Sequence, residues 1–316
     1  MKINSKLIVV LVAALLALAA CTPAATPVPP TATPEALTLP DGMGGEISLA
    51  RAAGRVISMA PSNTEVLFAV GAGPQVVARE DFSNFPEEAK ALPSVGGNMG
   101  QYNLEQMLSL KPDLVLASPL TAPEVLQGMK DLKLPVLVVP NPKTLDEMYA
   151  NLELVGKATG HADQAAQLAA DLKAREKKIL EVVSKATSKP LVFYELDATE
   201  PSKPWTSGPG TFVDLLVSMA GGQNLGAELT GEWAQISQEE LIVKDPDIIL
   251  LGDSLYGGIT PEQVAARPGW GGIKAVKANQ VYTFNDDLVS RPGPRMVDGL
   301  AELARVLHPE LADQLK

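Results

Sequence analysis

The side chains that most often carry catalysis or metal binding are scarce in this chain of 316 residues. Its two histidines, His161 and His308, and its single cysteine, Cys21, are far apart in sequence. Zinc sites use several such residues at short spacing, so no metal centre is expected. No Gly-x-Ser-x-Gly motif occurs, and Gly156-Lys157 lacks the earlier glycine of a P-loop. We therefore predict no catalytic residue and no cofactor, and a surface hydrolase is the least favoured alternative.

Aromatic side chains are also few, at 4% of the chain, so their positions are informative. Phe82 follows a predicted strand, Tyr102 precedes a predicted helix, and Trp205 and Trp233 lie in loops containing glycine or proline. Loops at strand ends build the ligand sites of α/β proteins, and large rings offer broad apolar contact to a flat ligand. We predict that these four side chains line a ligand cleft. The alternative is that each packs its own loop onto the core.

Arginine supplies the candidate groups for binding an anion. Arg79 ends a predicted strand, and Arg291 and Arg295 flank a rigid Pro-Gly-Pro segment. Guanidinium groups bind carboxylates strongly, which would suit an anionic ligand. A surface ion pair is the alternative, and we favour it for Arg295 because that residue begins a predicted helix. Asn63 would meet a ligand at a helix N-terminus or would simply cap that helix.

The elements that position these residues follow from the hydrophobic pattern. Runs rich in Val, Leu and Ile alternate with helical patterns from residue 54 onward. This alternation predicts an α/β fold of βαβ units, with mostly parallel strands buried on both faces. The predicted strands span residues 55–59, 75–79, 113–117, 135–139, 191–196, 247–251 and 280–284.

A long helix is predicted at residues 161–187, a segment without proline or glycine. At 1.5 Å per residue it would be about 40 Å long, more than one lobe requires. We interpret it as a strut joining two Rossmann-like lobes, residues 54–160 and 188–316, with a ligand cleft between them. An ordinary surface helix is the alternative.

A helix-to-strand segment occurs in both lobes at an offset of 134 residues. Each copy begins with a good N-cap residue, Asn103 or Ser237, and places Glu105 or Glu239 two positions later. A carboxylate there stabilises the helix dipole by about 0.3–1 kcal/mol. Helix stability would explain each glutamate separately, but it does not require the same position in both lobes.

The N-terminal region predicts export. Residues 1–21 combine Lys2 and Lys6 with an apolar run that is too short to span a bilayer, which takes about 20 residues. The run ends Leu-Ala-Ala-Cys21 and resembles the bacterial lipobox, which implies lipidation of Cys21 and stable anchoring to the membrane. An ordinary secretory signal is the alternative. Residues 22–53, rich in proline, threonine and alanine over their first half, are predicted to be an extended tether.

The overall charge excludes one class of partner. The chain has a formal net charge of −11 and no stripe of lysine and arginine, which makes it a poor nucleic-acid binder. We therefore expect no nucleic-acid partner.

Several segments, in order and with matching spacing across residues 54–309, resemble a known family. They are RVISMAPSNTEVLFAVGAG (55–73), LEQMLSLKPDLVL (104–116), PWTSGPGTFVDLLVSMAGGQN (204–224), WAQISQEEL (233–241) and SRPGPR (290–295). The family is the iron-siderophore, haem and vitamin B12 binding proteins of bacterial ABC importers, the class III or helical-backbone type. The resemblance implies two lobes held by one long helix and a chelate or corrinoid in a shallow cleft.

The resemblance also implies roles for individual residues. One glutamate on each lobe docks into an arginine pocket of the permease, and by motif position these are Glu105 and Glu239. In the vitamin B12 branch, aromatic residues at the positions of Phe82, Trp205 and Trp233 flank the ligand.

These features predict a monomeric, lipid-anchored binding protein at the outer face of the cell membrane. It would deliver a metal chelate to a permease dimer with its ATPase, and the metal would enter only as part of the ligand. A sensor or scavenger without an importer is the alternative. The tryptophans favour a corrinoid and the arginines favour an anionic ferric chelate or haem, so the ligand stays open.

Overall fold

Two separate sheets, one in each lobe, form the frame of the molecule. The computed structural model describes residues 36–315. The predicted signal peptide, Cys21 and the first part of the predicted tether lie outside the described residues. Within the described part, no helix is both long enough and apolar enough to cross a membrane.

A short hairpin precedes the first lobe. Strand β1 (Leu37–Pro40) pairs antiparallel with β2 (Glu46–Leu49). Leu39, Ile47 and Leu49 are buried in the main core. The prediction that the tether extends to residue 53 was therefore wrong for this segment, because its alternate apolar residues give the hairpin one face that packs on the lobe.

The N-terminal lobe is built on a four-stranded parallel sheet in the order β4-β3-β5-β6. Along β5, Leu114 and Leu116 enter one core cluster while Val115 and Ala117 enter another, so both faces are covered. The strands are β3 (Val56–Ser58), β4 (Val76–Arg79), β5 (Leu114–Ala117) and β6 (Val136–Val138), and the helices are α1 (Pro61–Ala69), α2 (Leu104–Ser109), α3 (Pro123–Asp131) and α4 (Leu145–Thr159).

The strut is helix α5 (Ala162–Val183), whose 22 residues span about 33 Å. His161 is its N-cap, and the predicted continuation to residue 187 was wrong because the helix ends at Val183. It packs on α4 of the first lobe and on the last long helix of the second lobe. Ala165 approaches Gly156 so closely that a Cβ at Gly156 would lie 2.4 Å from it. The predicted two lobes joined by one long helix are confirmed.

The C-terminal lobe has a mixed sheet in the order β10-β8-β7-β11-β12, with β9 beside β7. Strands β7, β11 and β12 are parallel, whereas the edge strand β8 pairs antiparallel with both β7 and β10; β8 and β10 were not predicted. The strands are β7 (Leu191–Asp197), β8 (Trp205–Ser207), β9 (Gln223–Asn224), β10 (Trp233–Gln235), β11 (Ile248–Leu251) and β12 (Val281–Thr283).

The helices of this lobe cover the sheet and supply part of the cleft. They are α6 (Phe212–Met219), α7 (Gln238–Lys244), α8 (Ser254–Gly257), α9 (Pro261–Ala265), α10 (Lys274–Lys277), α11 (Asp287–Ser290) and α12 (Met296–Leu307). Short 3-10 turns occupy Gly73–Gln75, Glu87–Ala91, Asn98–Gly100, Leu225–Glu228, Trp270–Gly272 and Pro309–Leu315.

Candidate ligand cleft and docking helices

A cleft of about 940 Å³ lies between the two lobes, and both contribute to its wall. The N-terminal lobe supplies the segments that follow strands β3, β4 and β5. Because the carboxyl ends of parallel strands meet at one edge of a sheet, these segments lie together. The C-terminal lobe supplies strand β10, helices α8 and α11 and the loop after α11.

Five aromatic residues line this cleft: Phe82, Tyr102, Phe212, Trp233 and Tyr256. Phe82 is 55% exposed, Trp233 44% and Tyr256 63%, an unusual exposure for large rings. Burial, together with nearby Glu80 and Asp81, raises the pKa of Tyr102, so its hydroxyl stays protonated. The cleft thus has broad apolar surfaces with a few polar edges.

Trp205 does not line the cleft, although the sequence placed it there. It lies on β8 opposite Gln235 of β10, while Trp233 lies opposite Ser207. Residues two apart on a strand share a face, so both tryptophans project from the same side of this strand pair. Only Trp233 is near enough to the other lobe to form part of the wall.

Arg291 lines the cleft and is almost buried, but it already has partners. Its guanidinium lies 2.8 Å from Asp287 and 3.3 Å from Glu65, and it donates to Asn84 Oδ1 at 2.7 Å. Glu65 and Asn84 belong to the first lobe, so these bonds join the two lobes. The predicted cation is present, with its charge balanced by protein carboxylates.

Arg295 completes this inter-lobe cluster. It binds Glu65 through two hydrogen bonds and stacks over the ring of Phe85, 4.1 Å from its centroid. Burial alone would lower the pKa of Arg295, but the hydrogen bond and charge of Glu65 raise it overall. The preference for an ion pair over ligand contact at Arg295 agrees with this geometry.

Two predicted ligand contacts have structural roles instead. Arg79 donates to the carbonyl oxygens of Ala89, Glu80 and Asp81 at 2.8–3.0 Å and fixes the loop after β4. Asn63 is buried within α1 and donates to the carbonyl oxygens of residues 116 and 117. Neither side chain lines the cleft. Both predictions of ligand contact were wrong because the fold gives each side chain protein acceptors, for Arg79 in the loop after its own strand and for Asn63 on β5, more than 50 residues away.

The electrostatic balance of the cleft is acidic. Among the described residues, its wall holds five carboxylates and two cations. The hydroxyl of Ser94 and the backbone N–H of Asn98 lower the pKa of Asp81, so it stays ionised. No group of three or more His, Cys, Asp or Glu within residues 36–315 is arranged to hold a metal ion. The carboxylates are Glu80, Asp81, Glu232, Asp286 and Asp287, and the cations are Lys143 and Arg291.

The repeated helices α2 and α7 expose the two predicted docking glutamates. Asn103 Oδ1 accepts from the N–H of Gln106, and Ser237 Oγ accepts from that of Glu240, so both predicted caps form. Glu105 and Glu239 are each the second residue of their helix and are exposed. Within the described part of the chain, neither carboxylate has an ion-pair or hydrogen-bond partner.

Sequence reasoning missed three residues of the cleft and its base. Tyr256 follows β11, so the rule that selected the other loop aromatics would have found it. Asn84 and Glu65 carried no such signal, since an amide in a loop and a carboxylate within a helical pattern are common surface features. Their role depends on the second lobe, which supplies the arginines.

The fold and cleft define a two-lobe α/β binding protein with a helical backbone. Residues 56–288 match the family described as periplasmic binding protein, and the chain belongs to that family. It is a non-enzymatic substrate-binding protein of an ABC transporter, which binds a small ligand outside the cytoplasm and works with a permease.

Named relatives show how far the likeness extends. An uncharacterized ABC transporter substrate-binding lipoprotein, YvrC of Bacillus subtilis, is 33% identical over 87% of this chain and 86% of its own. A vitamin B12-binding protein of Pectobacterium carotovorum is 32% identical over 77% of this chain and 84% of its own. The apo structure of the periplasmic heme-binding protein RhuT from Roseiflexus superposes with a TM-score of 0.73 at 26% identity, covering 84% of this chain and all of RhuT.

Proposed function

We propose that this protein is the receptor of an ABC importer for a corrinoid of the cobalamin type. The observation that carries the proposal is the charge of the cleft. Five carboxylates face two cations in the described wall, and the single arginine among them is bound to Asp287 and Glu65.

This excess of negative charge distinguishes between haem, ferric siderophores and corrinoids as ligands. Haem carries propionates, and ferric catecholates and ferric citrate are anionic, so these ligands would meet like charge in this cleft. Like charges brought together in a site of low dielectric are unfavourable unless a cation lies between them. The rim of a corrinoid carries neutral amides, which hydrogen-bond to carboxylates without this penalty. The acidic wall therefore supports the corrinoid.

The exposed rings support the same ligand. Phe82 and Trp233 come from opposite lobes and both line the cleft. A large flat macrocycle between them would bury apolar surface. Each Å² of apolar surface removed from water contributes roughly 25 cal/mol to the free energy of binding. The 32% identity to a vitamin B12-binding protein agrees with this assignment.

Binding by the unlipidated part of the chain (residues 22–316) tests the proposal directly. We expect isothermal titration calorimetry to show micromolar or tighter affinity for cyanocobalamin, and affinities at least about 100-fold weaker for haemin and ferric citrate. Quenching of tryptophan fluorescence, with Trp233 in the wall, gives an independent readout. Preference for haemin or ferric citrate, or no cyanocobalamin binding by a folded protein, would reject the corrinoid assignment.

The two repeated glutamates fit the second half of the function, delivery to the permease. Glu105 and Glu239 are exposed on equivalent helices of the two lobes and have no partner in the described part of the chain. We propose that each carboxylate binds a cationic pocket on one subunit of a permease dimer. An unpaired, exposed charge loses little hydration until it meets such a partner.

Anchoring through Cys21 is part of the same proposal. The apolar run that ends at Cys21 resembles a lipobox, and lipidation would hold the receptor near its permease at the outer face of the membrane. We propose a monomer without a resident cofactor, in which the metal arrives inside the chelate. Mass spectrometry of the purified membrane form would detect the diacylglyceryl modification of Cys21, and an unmodified Cys21 would contradict it.

A further inference from the structure

The bonds of Arg291 go beyond charge balance, because they engage both terminal nitrogens of its guanidinium. Nη1 donates to Asn84 Oδ1 at 2.7 Å and to Glu65 Oε1 at 3.3 Å. Nη2 donates to the Tyr256 hydroxyl at 3.1 Å and forms an ion pair with Asp287 Oδ1 at 2.8 Å. Each terminal nitrogen of Arg291 therefore already has two protein partners.

A ligand carboxylate binds arginine most strongly through two parallel hydrogen bonds. To do so here, it would have to displace a protein acceptor. Asp287 lies on the cleft side of this arrangement with 9% of its side chain exposed, whereas Glu65 lies beneath it with 1% exposed. Asp287 also accepts from the Tyr256 hydroxyl at 3.0 Å, which fixes its orientation.

We propose that Asp287 is a specificity-determining residue that excludes anionic chelates by occupying Arg291. This inference rests on the proposed corrinoid function, and it assigns the choice between neutral and anionic ligands to one carboxylate. With the Asp287 carboxylate removed, Nη2 of Arg291 has a free donor at the cleft wall. An anionic ligand can then occupy the position of that carboxylate.

The neighbouring carboxylate provides a matched control. Asp286 also lines the cleft, but it accepts from the Tyr194 hydroxyl at 2.5 Å and from Ser290 Oγ at 2.6 Å. It is not bonded to Arg291. Asp286→Ala and Asp287→Ala therefore change the net charge of the cleft equally, and only the second removes an acceptor from the guanidinium.

The experiment measures dissociation constants of both variants for cyanocobalamin, haemin and ferric citrate. We expect Asp287→Ala to tighten haemin and ferric citrate binding by about tenfold or more, which is what one charge-assisted hydrogen bond contributes. Asp286→Ala should tighten binding of these anions by at most about threefold, because it removes only one of the wall charges and no partner of Arg291. The double variant Asp287→Ala/Arg291→Gln should lose the gain. If Asp287→Ala does not fold, Asp287→Val serves instead.

An equal gain in both single variants would overturn the proposal, because net charge alone would then explain it. No gain in a folded Asp287 variant would overturn it as well. Failure of the wild-type protein to bind cyanocobalamin would instead reject the corrinoid assignment, and the two failures are measured separately.

Discussion

Glu65 of the first lobe and Arg295 of the second form a two-pronged ion pair beside the ligand cleft. Arg295 Nε donates to Glu65 Oε2 at 2.7 Å and Nη2 to Oε1 at 2.5 Å. Arg291 binds the same carboxylate, so one buried glutamate joins the lobes in addition to the strut.

Glu65→Gln should therefore weaken the whole fold. Removing one partner of a buried ion pair leaves the other charges buried without compensation, at a cost of about 3 kcal/mol in the free energy of unfolding. Urea denaturation followed by circular dichroism measures it. Glu87→Gln is the control, since its ion pair with Lys90 is exposed and should cost under about 1 kcal/mol. Equal effects of both substitutions would contradict a linking role for Glu65.

The docking proposal predicts a separation of transport from binding. Glu105→Ala combined with Glu239→Ala should lower uptake of labelled cyanocobalamin by cells at least about tenfold, because two charged anchors are lost. Its affinity for the ligand should be unchanged. Glu240→Ala is the matched control, being one residue away and near Lys244. Normal uptake by the double variant would leave both glutamates as helix stabilisers.

The positions of the two tryptophans predict unequal contributions to binding. Trp233 lines the cleft and Trp205 does not. Trp233→Ala should weaken cyanocobalamin binding about tenfold or more, through loss of a large apolar contact, and Trp205→Ala by less than about threefold. Calorimetry of the two variants checks this. The reverse order would mean that the lobes move on binding so that Trp205 becomes the contact.

Asp253 predicts a dependence of stability on pH. Burial and the nearby charge of Glu195 raise the pKa of Asp253 to about 7 from an ordinary 3.8. The folded state thus holds a proton that the unfolded state releases, so this group's contribution to stability falls as pH rises from about 4 to 7. Both carboxylate oxygens of Asp253 are buried. Asp253→Asn removes the buried charge, so its free energy of unfolding at pH 8 should exceed that of the wild type by about 1 kcal/mol.

Unfolding free energies of both proteins at pH 5 and pH 8 test this sign. The advantage of Asp253→Asn over wild type should be larger at pH 8. A difference that is the same at both pH values would show that Asp253 titrates alike in the folded and unfolded chains.

The sequence by itself determined the alternation of strands and helices, the strut and the repeated capped helices. These depend on local rules: continuous Val, Leu and Ile runs predict buried strands, and Asn103 and Ser237 cap helices through bonds three residues away. Glu105 and Glu239 were found because the same local pattern occurs twice.

Only the tertiary structure decided which polar side chains face the ligand. Glu65 meets Arg295 across 230 residues of sequence, and Arg79 turns toward the loop after its own strand. The hairpin at residues 37–49 and the edge strands of the two tryptophans also depend on packing against distant elements. A charged side chain bonds to whatever the fold brings within about 3 Å, and no local pattern encodes that partner.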